Sequence, residues 1–250
     1  MHNKIRLSLL LIFLAGVNYV ETSLETWMTP AAGPWIEYRN HLAAAVLWLE
    51  GNLALGDYLS TDDKLLVYGY SLCYFLLFPA LILGTCVALA KRSELSPYRV
   101  FVLAITVAYC LSLPFFLFFP VPERWAYPNS GAILLSDLWS PALIEFIRPF
   151  SGLDNCFPSS HVALTVVAVL TCFLFRVRFR LSVLAFGVAV LCSTLFLGVH
   201  WLADITAGFA VGVISVLLAL RLDRWLAVGR EPSLSSRPAF EVTVGGAQAA

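Results

Sequence analysis

Residues 98–119 read YRVFVLAITVAYCLSLPFFLFF, twenty-two positions with a single charge, Arg99, near one end. At 1.5 Å of rise per residue, a helix of that length reaches about 33 Å, enough to cross a hydrocarbon layer of roughly 30 Å. The same pattern recurs outward from this stretch. Leu65 to Ala90 precedes it, and Phe157 to Phe175, Leu181 to Val199 and Trp201 to Leu220 follow, each bounded by charges or turn residues. A shorter run, Leu7 to Val20, has Lys4 and Arg6 on one flank and Glu21 on the other. The expected fold class is all-α, an integral membrane bundle of six transmembrane helices with both termini cytoplasmic.

Composition agrees. Of 250 residues, 60% are hydrophobic and 13% charged, against about 45–50% and about 25% in soluble domains. That excludes an ordinary soluble domain and a disordered chain. The 16 basic residues balance 16 acidic ones, so no net charge draws the chain to nucleic acid. The charges are segregated, however. With the N-terminus inside, segments 1–6, 91–97 with Arg99, 176–180 and 221–250 hold 12 of the 16 basic residues, as the positive-inside rule requires. The first run also resembles a secretory signal, but no small-x-small cleavage site precedes Glu21. Its retention gives the best charge count.

Residues 1–230 read as one membrane domain, and 231–250, rich in Ser, Gly, Ala and Pro, as a disordered cytoplasmic tail. Within the first outer segment, Trp35 to Leu49 suits a helix lying in the interface or a lid over the site. Five of the six cysteines fall in apolar runs and read as small membrane-core residues, which leaves Cys156 in a polar segment.

Polar residues beside membrane spans are costly and therefore functional candidates. Two groups stand out. Cys156-Phe157-Pro158-Ser159-Ser160-His161 lies where an outer loop meets the fourth span. Pro158 suits a first helical turn, whose unpaired N–H groups form an anion site. His200-Trp201-Leu202-Ala203-Asp204 joins the fifth span to the sixth. If helical, its i, i+4 spacing puts imidazole and carboxylate on one face, so that Asp204 orients one ring nitrogen and frees the other to attack. His161 and His200 stand two membrane crossings apart, at the same outer face. That suits a nucleophile and a general acid for phosphoryl transfer, with Arg124 and Arg148 as the positive clamp.

Pro158-Ser159-Ser160-His161, then Ser193, then His200-x-x-x-Asp204, resembles the second and third signature motifs of the type 2 phosphatidic acid phosphatase superfamily, over about residues 98–215. The resemblance implies a metal-independent lipid phosphate phosphatase or phosphotransferase without a cofactor, acting through a phosphohistidine. It implies His200 as nucleophile, Asp204 as its partner, His161 as the acid, and Ser159 and Ser160 as phosphate contacts. Its partners are then a lipid phosphate and membrane lipids, and its location a bacterial inner membrane, with the active site facing the periplasm or exterior. Three departures stand out: Ser160 replaces a glycine, Thr194 replaces an arginine after Ser193, and Arg148-Pro149 has Pro141 where a lysine belongs. Pro120-x-Pro122-x-Arg124 and Phe157-Pro158-Ser159-Ser160-His161 are similar to the branch containing inositol phosphorylceramide synthases. That branch transfers a phosphorylated head group to a lipid or alcohol acceptor.

Blander readings stand beside these. Either histidine alone could be an interfacial side chain, Ser159 and Ser160 could only cap the fourth helix, and His-x-x-x-Asp with a distant histidine could ligate a metal. A transporter would scatter such groups toward the midplane. A scaffold that lost activity would explain the missing lysine and arginine.

Overall fold

The computed structural model describes residues 2–28, 33–50, 63–138 and 152–228. The apolar runs are helical. They form α1 (His2–Met28), α2 (Pro34–Glu50), α3 (Lys64–Leu72), α4 (Phe78–Ala90), α5 (Ser96–Phe118), α6 (Ser160–Leu174), α7 (Arg180–Phe196) and α8 (Leu202–Val228). A π-helical turn, Cys73–Leu77, joins α3 to α4 without a break. It ends two residues before Pro79, which has no N–H to give and whose ring crowds the carbonyl of Phe75 within the turn, so the wider turn relieves the ladder there. Among the described residues there is no strand, and the loops before α6 are held by one parallel bridge between Val121 and Asn155.

α5 occupies the middle, packed chiefly on α8 and also on α6 and α1. Leu89, Tyr98, Val100, Phe101, Val102, Ala104, Val167 and Ala219 are fully buried there. Between helices in lipid the hydrophobic drive is weak, so close approach decides which helices pair. A Cβ on Gly208 of α8 would stand 2.5 Å from the Ser159 carbonyl oxygen. Only glycine lets α8 come that near the start of α6.

The opposite end of the bundle is tied by basic side chains. Lys4 Nζ donates to Ala90 O at 2.8 Å, at the end of α4, and Arg92 to Phe175 O at 2.6 Å, just past α6. Cations there satisfy orphan carbonyls and oppose the helix dipole. Arg99 pairs with Asp223, which also accepts from Ser96 Oγ at 2.7 Å.

Among the described residues, four helical stretches, Asn3–Glu25, Lys64–Ala90, Ser96–Phe118 and Leu202–Ala227, are long and apolar enough to cross a membrane. α6 and α7 are helical over only 15 and 17 residues, shorter than the expected spans Phe157 to Phe175 and Leu181 to Val199. Both lose their length at the site. Pro158 lies before the cap Ser159, outside the first turn expected for it, and residues 197–201 leave the helix entirely. Backbone that leaves a helix inside a packed structure must find hydrogen-bond partners within the protein. Here Leu135 N–H, Trp125 N–H and Arg124 N–H donate to the carbonyls of Leu197, Gly198 and Val199, and His200 N–H to Thr194 O. Gly198 takes φ +75°, and a Cβ there would meet Ile133 O at 2.5 Å.

The helix expected over Trp35 to Leu49, as an interfacial element or a lid, is α2. Its Ala43 and Val46 pack with Val121, Tyr127, Cys156 and Trp201, so it covers the start of α8, with Trp48 outward. The expected tail 231–250 and Arg148 lie outside the described residues.

Candidate active site

The site forms where α6 and α8 begin side by side. Ser159 caps α6, its Oγ accepting from Val162 N–H at 3.3 Å, while its own N–H donates to Asp204 O at 3.1 Å. Asp204 stands in the first turn of α8 and accepts from Trp201 N–H at 2.9 Å, as an acid three residues past a cap commonly does. A second cap comes from α2, whose Glu50 Oε1 accepts from Ala203 N–H at 2.8 Å.

His200 therefore precedes α8 and is not helical, contrary to the helical spacing expected for it. The pair meets all the same, with Nδ1 3.4 Å from Asp204 Oδ2. The capping carboxylate reaches back over the turn, which brings imidazole and carboxylate together without a shared helix face. Cys156 Sγ lies between them, 2.9 Å from His200 Nδ1 and 2.9 Å from Asp204 Oδ2, to which it donates. Burial, then the Asp204 and Glu123 carboxylates, push this thiol well above its ordinary range. On the other edge of the ring, Nε2 is 3.1 Å from Ser159 Oγ. The Asp204 side chain is wholly buried and its Oδ1 has no hydrogen-bond partner.

His161 rises from the first turn of α6 with its ring centroid 5.7 Å from that of His200. It lies between aromatic faces, Tyr74 stacked at 4.4 Å and Phe78 tilted at 4.5 Å. Tyr74 belongs to the π-helical turn, a common use of such turns. Both histidines line a cavity of about 30 Å³ with Asn18, Tyr74, Phe116, Glu123, Gly152, Asn155, Cys156 and Ser160. That volume is room for a water-sized group beside the two rings.

Arg124, 4% exposed, lies over the face of Trp201 with Cζ 5.8 Å from the ring centroid, and Trp201 Nε1 donates to Pro122 O at 2.8 Å. The Pro-x-Pro-x-Arg segment thus packs on the residue following His200. Ser193 and Thr194 hydroxyls donate back to carbonyls of α7, Val190 O at 2.7 Å and Leu191 O at 2.8 Å. The loop 152–156 is shaped by Asp154, which pairs with Arg39 of α2 and whose N–H donates to Glu25 Oε1 at 2.6 Å.

Three residues of this constellation were not expected from sequence. Cys156 carried the one available signal, as the cysteine outside an apolar run. Glu123 and Tyr74 carried none, since neither stands at motif spacing from a histidine. A trio able to hold a metal does exist, but its members are Cys156, His200 and Asp204, with ligand atoms within 4.8 Å of one another, and not the two histidines with Asp204.

The family model described as the PAP2 superfamily matches residues 97–227, 131 of the 250 positions. Comparisons with curated proteins and with solved structures return no match.

Proposed function

The chain belongs to the PAP2 superfamily, and from that membership and the geometry around His200 we propose an integral membrane lipid phosphatase that hydrolyses a lipid phosphomonoester or diphosphate. Membership supports phosphatase-type or phosphotransferase-type activity in general, and the four apolar helices support a membrane protein. The observation that carries the finer reading is the pair of imidazoles at 5.7 Å about one polar cavity, one of them backed by a buried carboxylate.

In this mechanism His200 Nε2 attacks phosphorus while Asp204 steadies the positive charge that grows on the ring. His161 gives its proton to the departing lipid oxygen, and water, deprotonated by His161, then releases phosphate from the phosphohistidine. Ser159, Ser160, Arg124 and Arg148 hold the phosphoryl oxygens, aided by the N–H groups at the start of α6. No step calls for a metal. The bundle crosses the membrane six times with both termini cytoplasmic, α6 and α7 being short crossings completed by the site itself. The cavity then faces the exterior or periplasm of a bacterial inner membrane.

Transfer to an alcohol is the second reading, favoured by the Pro120-x-Pro122-x-Arg124 segment packed on Trp201, similar to the inositol phosphorylceramide synthase-like branch. One assay separates the two. Purified protein is given a panel of lipid phosphates in excess EDTA, with and without inositol and other alcohols, reading free phosphate and new lipids by mass. Free phosphate without acceptor supports hydrolysis, and product formed only with an alcohol supports transfer. No turnover of any lipid overturns both, and activity restored only by added metal overturns the metal-independent mechanism.

A further inference from the structure

The mechanism above leaves the Cys156 thiol without a chemical role, although it stands wedged between His200 and Asp204. We propose that Cys156 Sγ, His200 Nδ1 and Asp204 Oδ2 form a binding site for a thiophilic divalent cation, zinc above all, and that occupancy switches the enzyme off.

The donor set is a thiolate, an imidazole nitrogen and a carboxylate oxygen, the set zinc takes in tetrahedral sites. All three residues are buried, and their ligand atoms lie within 4.8 Å of one another. A tetrahedral zinc separates such ligands by about 3.4–3.6 Å, given bonds of about 2.3 Å to sulfur and 2.0–2.1 Å to nitrogen or oxygen. The His200–Asp204 separation is already 3.4 Å, and the two sulfur contacts of 2.9 Å need only open by a fraction of an ångström. Cys156 and His200 both line the cavity, which has room for a water as the fourth ligand. Asp204 Oδ1, buried and lacking a hydrogen-bond partner, is a second oxygen available to the ion.

The consequence follows from where the protons go. A neutral His200 able to attack carries its hydrogen on Nδ1 and its lone pair on Nε2. Zinc on Nδ1 requires the lone pair there, so the ring hydrogen moves to Nε2, and the thiol proton leaves to solvent. One proton is released for each ion bound. With Nε2 protonated, the nucleophilic lone pair is gone, and Ser159 Oγ at 3.1 Å turns from donor to acceptor. The ion thus silences the ring by fixing its tautomer, without touching the phosphate.

This consequence for turnover rests on the phosphatase reading, whereas the binding does not, and the tests separate them. Metal-free protein in detergent is titrated with cobalt(II) as an optical stand-in. One equivalent is expected to bring up a thiolate-to-cobalt charge-transfer band that zinc abolishes, that Cys156→Ala lacks and that Cys110→Ala keeps. Should Cys156→Ala fail to fold, X-ray absorption on wild-type protein with one equivalent of zinc is expected to give a single sulfur ligand with nitrogen and oxygen neighbours. A band that survives in folded Cys156→Ala, no band in wild type, or a shell without sulfur overturns the site. Where a lipid phosphate is turned over, activity is expected to fall in proportion to bound zinc and to return with EDTA. Turnover indifferent to stoichiometric bound zinc overturns the switch, while absence of turnover from every lipid in metal-free protein counts against the phosphatase reading and leaves the optical result standing.

Discussion

The two histidines of the site sit in opposite chemical company. His200 has a carboxylate, a thiol and a hydroxyl against its ring nitrogens, while His161 has two aromatic faces. A carboxylate suits a ring that becomes positive by attacking phosphorus, and the two aromatic rings place His161 beside it as its acid partner in the proposed reaction. Their losses are therefore unequal. His200→Ala is expected to abolish turnover, whereas His161→Ala is expected to lower kcat by about 10²–10⁴-fold and leave a measurable remainder, because an acid catalyst assists a bond already being broken. The kcat profile against pH is expected to be a bell, since one imidazole must be neutral and the other protonated. Tyr74→Leu removes the stacked ring that positions His161, so kcat is expected to fall in the same direction as in His161→Ala but by less. An unchanged kcat would show Tyr74 to be packing alone. Motif spacing made His161, His200 and Asp204 legible in the sequence. It could not reveal Tyr74, whose side chain reaches His161 from a π-helical turn at no motif spacing from it.

At the scale of the helices, two contacts seat the start of α8 against its neighbours. Gly208 is one, and Gly208→Val is expected to force α8 from the Ser159 carbonyl at a cost of about 1–3 kcal/mol, read as a lowered thermal midpoint together with lost turnover. Glu50 is the other, reaching from α2 to the second residue of α8. Burial raises its pKa above the ordinary carboxylate range, ahead of the lowering from its hydrogen bond to Ala203. The folded state therefore holds the Glu50 proton more tightly than the unfolded chain does. Its contribution to stability is most favourable below the unfolded value and declines as pH rises from there through the raised one. Glu50→Gln keeps an oxygen for the Ala203 N–H and removes the charge, so its thermal midpoint is expected to equal or exceed wild type at neutral pH. The advantage should vanish in acid. Hydropathy made the apolar runs legible as helices, and amphipathic residues marked α2. Their ends were less legible, because residues 197–201 are apolar enough to continue a span and leave the helix only because Gly198, Arg124 and Trp125 offer a better set of hydrogen bonds.

Over the whole molecule, charge and geometry describe one polarity. Lys4, Arg92 and Arg99, three of the basic residues that segregate in sequence, gather at the end of the bundle opposite the site, on the carbonyls of Ala90 and Phe175 and on Asp223. They join neighbouring elements there, so under the proposed topology the bias that orients insertion also fastens the inserted bundle. The site end is built from loops, α2 and the starts of α6 and α8, all of which the proposed topology sets on the outer face. Cysteine labelling in intact cells tests this directly. Trp48→Cys, on the outward side of α2 where the tryptophan is 80% exposed, is expected to react with a membrane-impermeant maleimide added outside. Arg178→Cys, in the exposed turn between α6 and α7, is expected to react only after the cells are opened. The reverse pattern would invert the bundle and turn the cavity to the cytoplasm. Equal reaction of both in closed cells would mean that α6 does not carry the chain across, and the short-crossing account of that helix would fall with it.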